Sequence, residues 1–438
     1  MTNDDFKGVV PKKTKDAYGR IKYWANKDLE WRGSCINLIA SENIASPAVK
    51  QALSTDFGGR YAEGRPGKRY YQGTWMFDEI EAIGTELMKR LFDCDHADLM
   101  PISGAVANMA AFSAFGSKGD KVASIPLEDG AHISHVDVSI AGLMGLKNIE
   151  LPFDEGEMNI DIEASKKVIL EKKPKIVILG GSMYLFPHPV KEIKSACEEV
   201  DAKIVYDAAH VAGLIAGKQF DDPLPDGADV ITFSTHKSFP GPQGGALVYN
   251  DSVGEENVKK LQEATFPKLM SNHHLHHVVG KAITAAEMLE FGEKYAKQII
   301  KNSKALAERL HNLGLKVLAE NKGFTKSHQV LVDVRPQGGK AAAETLEKAN
   351  IIVSKQILPG TTVDADNPAG LRLGTQELTR LGMKQRDMET VAGFIKQTLI
   401  DKKDPKTISE EVVKFIRQFN AVLYCFDRGK AYEHFLEL

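Results

Sequence analysis

The sequence predicts an α/β protein whose larger part is a mainly parallel β-sheet with helices on both faces. Between residues 97 and 250, short apolar runs alternate with helical segments, a pattern typical of parallel strands joined by helical crossovers. The predicted strands are 121–125, 148–152, 175–180, 203–207, 229–234 and 245–249. The predicted helices between them include 161–172 and 190–200.

Segments on either side complete the architecture. The earlier helices are 14–31 and 76–92, and a long helix over 276–313 follows the alternating region. After it come strands near 315–319, 329–334, 351–353 and 370–373, helices near 339–349 and 385–400, and a helical tail over 405–438. We therefore expect an N-terminal helical arm over 1–50, a large α/β domain over 51–290 and a small C-terminal α+β domain over 291–438.

The composition excludes several classes of protein. The chain has 438 residues and a net charge of −3, which gives no electrostatic argument for nucleic acid or an anionic membrane. No apolar run approaches a membrane span, and the first residues do not resemble a signal peptide. Cys35, Cys94, Cys197 and Cys425 show neither metal nor disulfide spacing, which favours a reducing compartment. We expect a cytoplasmic enzyme.

An acid and a lysine end two neighbouring predicted strands. Asp207 closes the apolar run 203–207, and Lys237 follows the run 229–234 and precedes a glycine-rich turn. Ligands of parallel sheets gather at the carboxyl ends of strands. A lysine amine that forms an imine with an aldehyde, and a carboxylate that keeps a pyridine nitrogen protonated, are what a pyridoxal phosphate site requires. The alternatives are a surface lysine and an ordinary capping acid.

Three further positions are weaker candidates. His210 lies one helical turn after Asp207 and could face the cofactor's phenolic oxygen, or it could be a core histidine. His132 could stack on a pyridine ring, although most loop histidines do not. Ser103 and Gly104 begin a small-residue helix, where free amides suit a phosphate but where serine is most often only a cap.

A second group of candidates lies away from the strand ends. Tyr61, Glu63 and Tyr71 occupy a glycine-rich, aromatic and charged loop, which is either a surface turn or a group able to move protons on a substrate. Arg372 lies in a β-like run of the second domain. Strand arginines are usually solvated, but an inward one would bind a carboxylate in a bidentate manner.

Taken together, these stretches resemble the serine hydroxymethyltransferases, which are fold-type-I pyridoxal phosphate transferases. The motifs that carry the resemblance are Leu38-Ile39-Ala40-Ser41-Glu42-Asn43, Tyr61-Ala62-Glu63-Gly64, Pro66-Gly67-Lys68-Arg69-Tyr70-Tyr71, Asp207-Ala208-Ala209-His210, Thr235-His236-Lys237 and Arg372 with Gly374-Thr375. The resemblance implies a seven-stranded sheet, interconversion of serine and glycine, and transfer of the one-carbon unit to a reduced pterin.

The resemblance also implies a role for each matching residue. Lys237 would be the imine lysine, Asp207 the pyridinium partner, and Glu63 the acid/base group, with Tyr61 and Tyr71 beside it. The remaining cofactor contacts would come from His132, His210, Ser103, Gly104, Ser182, Ser234, His236, Ser271 and Asn272. The substrate carboxylate would be held by Arg372 and Ser41, and the pterin by Leu127 and Gln356. In this family the tyrosines and the glutamate reach in from the neighbouring subunit, so a homodimer is implied.

Several positions depart from the bacterial and eukaryotic pattern. Ala105 replaces a serine after the phosphate motif, Gln243 an arginine, and Gln356 an asparagine that usually touches the pterin. The loop 268–274 and the stretch 182–187 also differ. These changes resemble the archaeal branch, so the carrier could be tetrahydromethanopterin or tetrahydrofolate. We hypothesise that Ser271, Asn272 or His273 of this loop contacts the partner's cofactor phosphate.

Two other functions remain open at this point. A related aldolase would cleave 3-hydroxy amino acids without a pterin, and a noncatalytic cofactor-binding or RNA-binding protein could use the same scaffold. The complete set of Lys237, Asp207, Glu63 and Arg372 argues against loss of catalysis. The histidine run over 273–277 could hold a metal, since its first and last members would share a helix face, but we expect none.

Overall fold

The large sheet contains seven strands, and five of them run parallel and side by side. This computed structural model describes residue 11, residues 13–361 and residues 363–433, so parts of the predicted arm and tail lie outside the described residues. In spatial order the strands are His96–Asp98, Gly245–Tyr249, Val230–Ser234, Lys203–Asp207, Ile176–Gly180, Lys121–Ser124 and Lys147–Glu150. Gly245–Tyr249 runs antiparallel to both of its neighbours. The mainly parallel sheet is confirmed, and six of its strands match their predicted bounds within two residues.

Helices cover this sheet and the second unit. They are Thr14–Arg32, Pro47–Leu53, Trp75–Phe92, Gly104–Phe115, Ile140–Leu143, Ile162–Lys172, Val190–Glu199, Ala212–Ala216, Pro223–Asp226, Glu255–Glu263, Leu275–Asn312, Gly339–Lys348, Gln376–Arg380, Gln385–Leu399 and Pro405–Ile416. The helical prediction for the tail is wrong for residues 417–433, and its last five residues lie outside the described part of the chain. Backbone amides there bond to distant carbonyls instead, as when Leu423 N donates to Arg380 O at 2.8 Å.

The second unit is an antiparallel sheet of four strands. In spatial order they are Lys316–Val317, Gln329–Asp333, Gly370–Gly374 and Ser354–Gln356. The strand predicted near 351–353 is found at Ile351–Ile352; it packs in the core of this unit but pairs in parallel with Ile36–Asn37 rather than with the four-stranded sheet. This strand pairing joins the segment before residue 50 to the second unit.

The long helix Leu275–Asn312 connects the two cores. Its residues up to Ile299 pack in the core of the large sheet, and its residues from Leu306 onward pack in the core of the small one. The change of core lies between these two positions. The proposed domain division at 290/291 stays a prediction, since the helix runs across it without a break.

Candidate active site

The acid and the lysine singled out in the sequence lie at the carboxyl ends of adjacent strands. Asp207 ends Lys203–Asp207 and is in register with Thr232 of Val230–Ser234. Lys237 lies on the turn after this second strand. Both side chains are buried, with Asp207 3% and Lys237 8% exposed. The sheet edge therefore gathers them in one place.

Burial and neighbouring charge set the protonation of both groups. Burial lowers the pKa of Lys237 from 10.5 to about 8; the charge of Arg372 lowers it further, and Asp207 opposes the change. Burial opposes ionisation of Asp207, but the hydrogen bond and charge of His135 hold the pKa of this carboxyl well below its usual range. Asp207 is thus an anion, and Lys237 can lose its proton near neutral pH.

Both oxygens of the Asp207 carboxylate are fixed by hydrogen bonds. His135 Nε2 and Asn108 Nδ2 each lie 2.8 Å from Asp207 Oδ2, and the amide of Ala209 donates to Oδ1 at 2.9 Å. His135 and Asn108 were not among the site residues predicted from the sequence. Spacing was the signal that could have identified them. His135 follows His132 by three residues, and Asn108 lies one helical turn after Gly104, where the helix of the phosphate motif begins.

Two histidines beside Asp207 are neutral. Burial lowers the pKa of His132 to about 4 and that of His210 well below its usual value. His132 Nδ1 lies 2.7 Å from Ser134 Oγ. Gln329 Nε2 donates to His210 Nδ1 at 2.9 Å, which leaves the ring proton of His210 on Nε2. The ring of His328 stacks on His210 at 5.5 Å.

Arg372 points inward from the small sheet. It is 9% exposed, and burial lowers its pKa from 12.5 to about 10. Its Nη1 donates to the carbonyl of Ser182, which also accepts from Gln329 Nε2 at 3.0 Å. Its Nε is buried without a hydrogen-bond partner among the described residues. A buried guanidinium with free donor capacity is suited to an anionic ligand.

The segment that carries Ser41 joins the lysine to the arginine strand. Asn43 Nδ2 donates to the carbonyl of Lys237 at 2.6 Å. Gln376, just past the strand of Arg372, donates to the carbonyl of Glu42 at 2.6 Å. The segment around Ser41 is therefore tied both to the turn of Lys237 and to the residues just past the strand of Arg372.

The predicted phosphate seat is the amino end of a helix. Ser103 caps Gly104–Phe115, and its Oγ accepts from a backbone amide three residues on at 3.1 Å. A Cβ on Gly104 would lie 2.3 Å from Ser234 Oγ, so only glycine lets these two elements meet. Burial lowers the pKa of His236 to about 4, and its Nδ1 is buried without a hydrogen-bond partner among the described residues.

A buried lysine that was not predicted from the sequence anchors this seat. Lys281 Nζ donates to the carbonyls of Leu99, Pro101 and Gly245 at 2.7, 2.9 and 2.9 Å. It is 1% exposed, and burial lowers its pKa to about 7. Two of the carbonyls belong to the turn that leads into Ser103, so Lys281 fixes the approach to the helix.

The loop with the remaining catalytic candidates is exposed. Tyr61 and Tyr71 are 56% and 41% exposed, their rings lie 5.5 Å apart, and Glu63 is half-buried. Across the described part of the chain, no hydrogen bond, ion pair or ring contact links these three side chains to Lys237 or Arg372. The monomer does not bring them to the strand ends.

The residues of loop 268–274 have partners inside the chain. Asn272 accepts from the amide of Ala62 at 3.0 Å and donates to the carbonyl of Arg60 at 3.1 Å. His273 is buried and lies 3.2 Å from Glu81. These two bonds hold the Asn272 amide against residues 60–62, whereas the Ser271 side chain is exposed.

The two predicted pterin contacts lie in different units of the fold. Leu127 is 40% exposed in the turn before His132. Gln356 ends the edge strand Ser354–Gln356, and its Nε2 donates to the carbonyl of Ile357 at 3.0 Å. The pterin contacts stay a prediction.

The histidine run does not form a metal-like cluster. His273 faces Glu81, while His277 Nδ1 lies 2.5 Å from the carbonyl of Gln243. Within the described ranges, the histidine and acid donor atoms that converge are those of His132, His135 and Asp207.

Among the described residues, no helix is long and apolar enough to cross a membrane.

The arrangement fits pyridoxal phosphate. A buried amine lies near a buried carboxylate, a helix amino end provides an anion seat, and Arg372 Nε and His236 Nδ1 are polar atoms that need a partner. Together with the mainly parallel sheet, these features define the class of fold-type-I pyridoxal phosphate transferases.

Comparison with known proteins narrows this class. A family model described as serine hydroxymethyltransferase matches residues 17–395. The serine hydroxymethyltransferase of Pyrococcus furiosus is 54% identical over 419 residues, covering 95% of this chain and 98% of the relative. That of Methanocaldococcus jannaschii is 51% identical over 414 residues, covering 93% and 96%. The crystal structure of L-threonine transaldolase from Pseudomonas fluorescens, in its internal aldimine state, has a TM-score of 0.84 at 30% identity and covers 94% of this chain and 95% of that one.

The chain belongs to the serine hydroxymethyltransferase family. It is a pyridoxal phosphate-dependent transferase that interconverts serine and glycine with transfer of a one-carbon unit. The predicted fold class, activity and main cofactor are thereby confirmed, and a noncatalytic binding protein is not favoured.

Proposed function

We propose that the one-carbon unit passes between serine and a reduced pterin at a site formed by Lys237, Asp207 and Arg372 of one chain and the Tyr61–Tyr71 loop of a second. The observation that carries the proposal is the mutual influence of three buried charges. The pKa of Lys237 responds to both Asp207 and Arg372, so the three groups lie within electrostatic reach of one another.

In this proposal Arg372 and Ser41 hold the substrate carboxylate. The guanidinium is already oriented by the carbonyl of Ser182 and is desolvated, so binding an anion compensates a buried positive charge. Fixing the carboxylate orients the bond between the α and β carbons of serine. Orientation of this kind lowers the entropic part of the barrier.

Lys237 and Asp207 hold the two ends of the cofactor ring. When bound, pyridoxal phosphate supplies an electron sink for the charge that develops on the substrate's α carbon. The neutral amine of Lys237 would hold the cofactor through its aldehyde carbon, and the Asp207 anion would keep the ring nitrogen protonated. Neutral His132 would lie against the ring, and His210 Nε2 would be the donor available to the phenolic oxygen.

The cofactor phosphate would lie at the helix that Ser103 caps. The free amides of Gly104 and the next residues, with Ser234 and His236 beside them, would receive its charge. Ser182 would add a contact from the strand-end loop. Exposed Ser271 remains the candidate for a contact with the phosphate of the neighbouring subunit.

Glu63, Tyr61 and Tyr71 would act in a homodimer. A carboxylate near the hydroxymethyl oxygen takes its proton as the carbon–carbon bond breaks and returns a proton in the reverse direction. Exposed apolar side chains surround this loop, including Tyr70 at 78% and Trp75 at 68%. The helix Thr14–Arg32 buries none of its residues within the chain, as expected of an arm that packs on a second subunit.

The pterin would lie between Leu127 and Gln356. Incubating the protein with serine and either tetrahydrofolate or tetrahydromethanopterin tests the proposal. Glycine should form at a rate that depends on one of these carriers. Cleavage that ignores both carriers would instead indicate the pterin-independent aldolase. A cytoplasmic location stays a prediction, supported by the four cysteines, all of which are free.

A further inference from the structure

The backbone of the exposed catalytic loop is held on both sides of its functional residues. Arg69 Nη1 donates to the carbonyls of Ala62 and Gly64, at 2.8 and 2.6 Å, and these flank Glu63. The Asn272 amide bonds to the carbonyl of Arg60 and the amide of Ala62, which flank Tyr61. The exposed side chains thus stand on a restrained main chain.

The groups that hold the loop are themselves buried and paired. Arg69 is 2% exposed at its side chain and also donates to Asp78 at 2.7 Å and to Glu81 at 2.9 Å. Glu81 Oε2 accepts from His273, which is fully buried and follows Asn272 in the chain. The ring of Phe77 lies 5.4 Å from the Arg69 guanidinium. Buried ionic networks of this kind stay ordered because breaking one partner leaves an uncompensated charge.

We propose that Arg69, Glu81, Asn272 and His273, here called the loop clamp, are positioning residues for Tyr61 and Glu63. The inference rests on the proposed function, in which this loop serves the neighbouring subunit's site. It assigns Asn272 and His273 of the divergent loop 268–274 to presentation of the catalytic carboxylate, while the exposed Ser271 stays the candidate for the phosphate contact.

The physical reason is that the half-buried Glu63 makes few contacts of its own. The position of its side chain relative to a second subunit must therefore be set by the main chain. This main chain is fixed by hydrogen bonds to the flanking groups and to the carbonyl of Glu63, which accepts from Tyr70 N at 2.9 Å. A displacement of about 1 Å in a catalytic group can lower a rate about 100-fold. Releasing one side of the clamp should therefore lower kcat by a larger factor than it lowers cofactor binding.

The test uses Asn272→Ala, with Asn257→Ala as the matched control, since Asn257 also donates to a backbone carbonyl, that of Val253 at 2.8 Å. We expect Asn272→Ala to lower kcat by about 10- to 100-fold, with the KM for serine and cofactor retention within about twofold of the unmodified protein. Asn272→Asp keeps the acceptor for Ala62 and should recover part of kcat. A phosphate contact would instead appear as lost cofactor retention, with kcat restored by excess pyridoxal phosphate, and would overturn the proposal.

Mixed dimers test whether the clamp acts on the partner's site. A chain with Asn272→Ala keeps Lys237, and a chain with Lys237→Ala keeps the clamp. Their verified heterodimer should regain about half of the unmodified activity, since one of its two sites combines an intact lysine with an intact loop. Heterodimers no more active than the two homodimers would overturn the proposal. Full activity in Glu63→Gln would refute the proposed function instead, whatever the clamp variants do.

Discussion

The buried centre around Lys237 and the exposed loop around Glu63 differ in how much of their geometry one chain completes. At the centre, each oxygen of Asp207 has hydrogen-bond partners, and the lysine is 8% exposed. In the loop, the backbone is fixed but Tyr61 and Tyr71 project into solvent. Under the proposed function, a single chain would prepare the cofactor chemistry, whereas proton transfer at the hydroxymethyl oxygen would depend on assembly of two chains.

The largest expected effect lies in the centre. Lys237→Ala should lower serine cleavage by on the order of 1,000-fold or more, because it removes the buried amine that would bind the aldehyde. Steady-state assays and the visible absorbance of the bound cofactor measure the two consequences. Lys301→Ala, an exposed lysine of the long helix, should change neither. Near-normal turnover in Lys237→Ala would contradict the proposed centre.

A change in the loop should affect catalysis and spare the cofactor. Glu63→Gln should lower kcat about 100- to 10,000-fold, since it removes the acid/base group, while the cofactor stays bound. Glu79→Gln, an exposed acid on the neighbouring helix, is the matched control. Loss of the cofactor from Glu63→Gln would show that the loop also serves cofactor binding, and would contradict the difference between the two regions.

The arginine sharpens the comparison from the substrate side. Arg372→Lys keeps the charge but loses the planar pair of donors, so the KM for serine should rise about 10- to 100-fold. The variant should still bind pyridoxal phosphate. Arg386→Lys, on an exposed helix surface, should leave KM unchanged. An unchanged KM in Arg372→Lys would show that another residue binds the substrate carboxylate.

The smallest effect concerns pH. Below a pKa of about 8 Lys237 is protonated and cannot attack an aldehyde, whereas above it the amine is neutral. Capture of pyridoxal phosphate by the apoprotein should therefore speed up about fivefold from pH 7 to pH 8 and then level off. Stopped-flow absorbance measures the rate. Because Asp207 raises the pKa of Lys237, Asp207→Asn should move the midpoint of this pH dependence to lower pH. A midpoint near 10 in the unmodified protein would show that burial does not lower the pKa of the amine.

Local pattern predicted much of the large domain. The alternation of strands and helices placed Asp207 and Lys237 at strand ends, and parallel strands necessarily share one carboxyl edge. Motifs short in sequence, such as Thr235-His236-Lys237, carried the family resemblance. The strand His96–Asp98 and the edge strand Ser354–Gln356 were missed, because runs of three residues have no reliable period.

The sequence by itself determined which groups could do the chemistry and where along the strands they stand. Only the tertiary structure decided which other groups control them: His135 on Asp207, Lys281 under the phosphate seat, and Asn272 beside Tyr61. The hydrogen bonds from His135 to Asp207, from Lys281 to Pro101 and from Asn272 to Arg60 span 72, 180 and 212 residues of the chain. Local periodicity reports the burial of one face of a helix or strand, whereas contacts across such distances arise only when separate elements pack together.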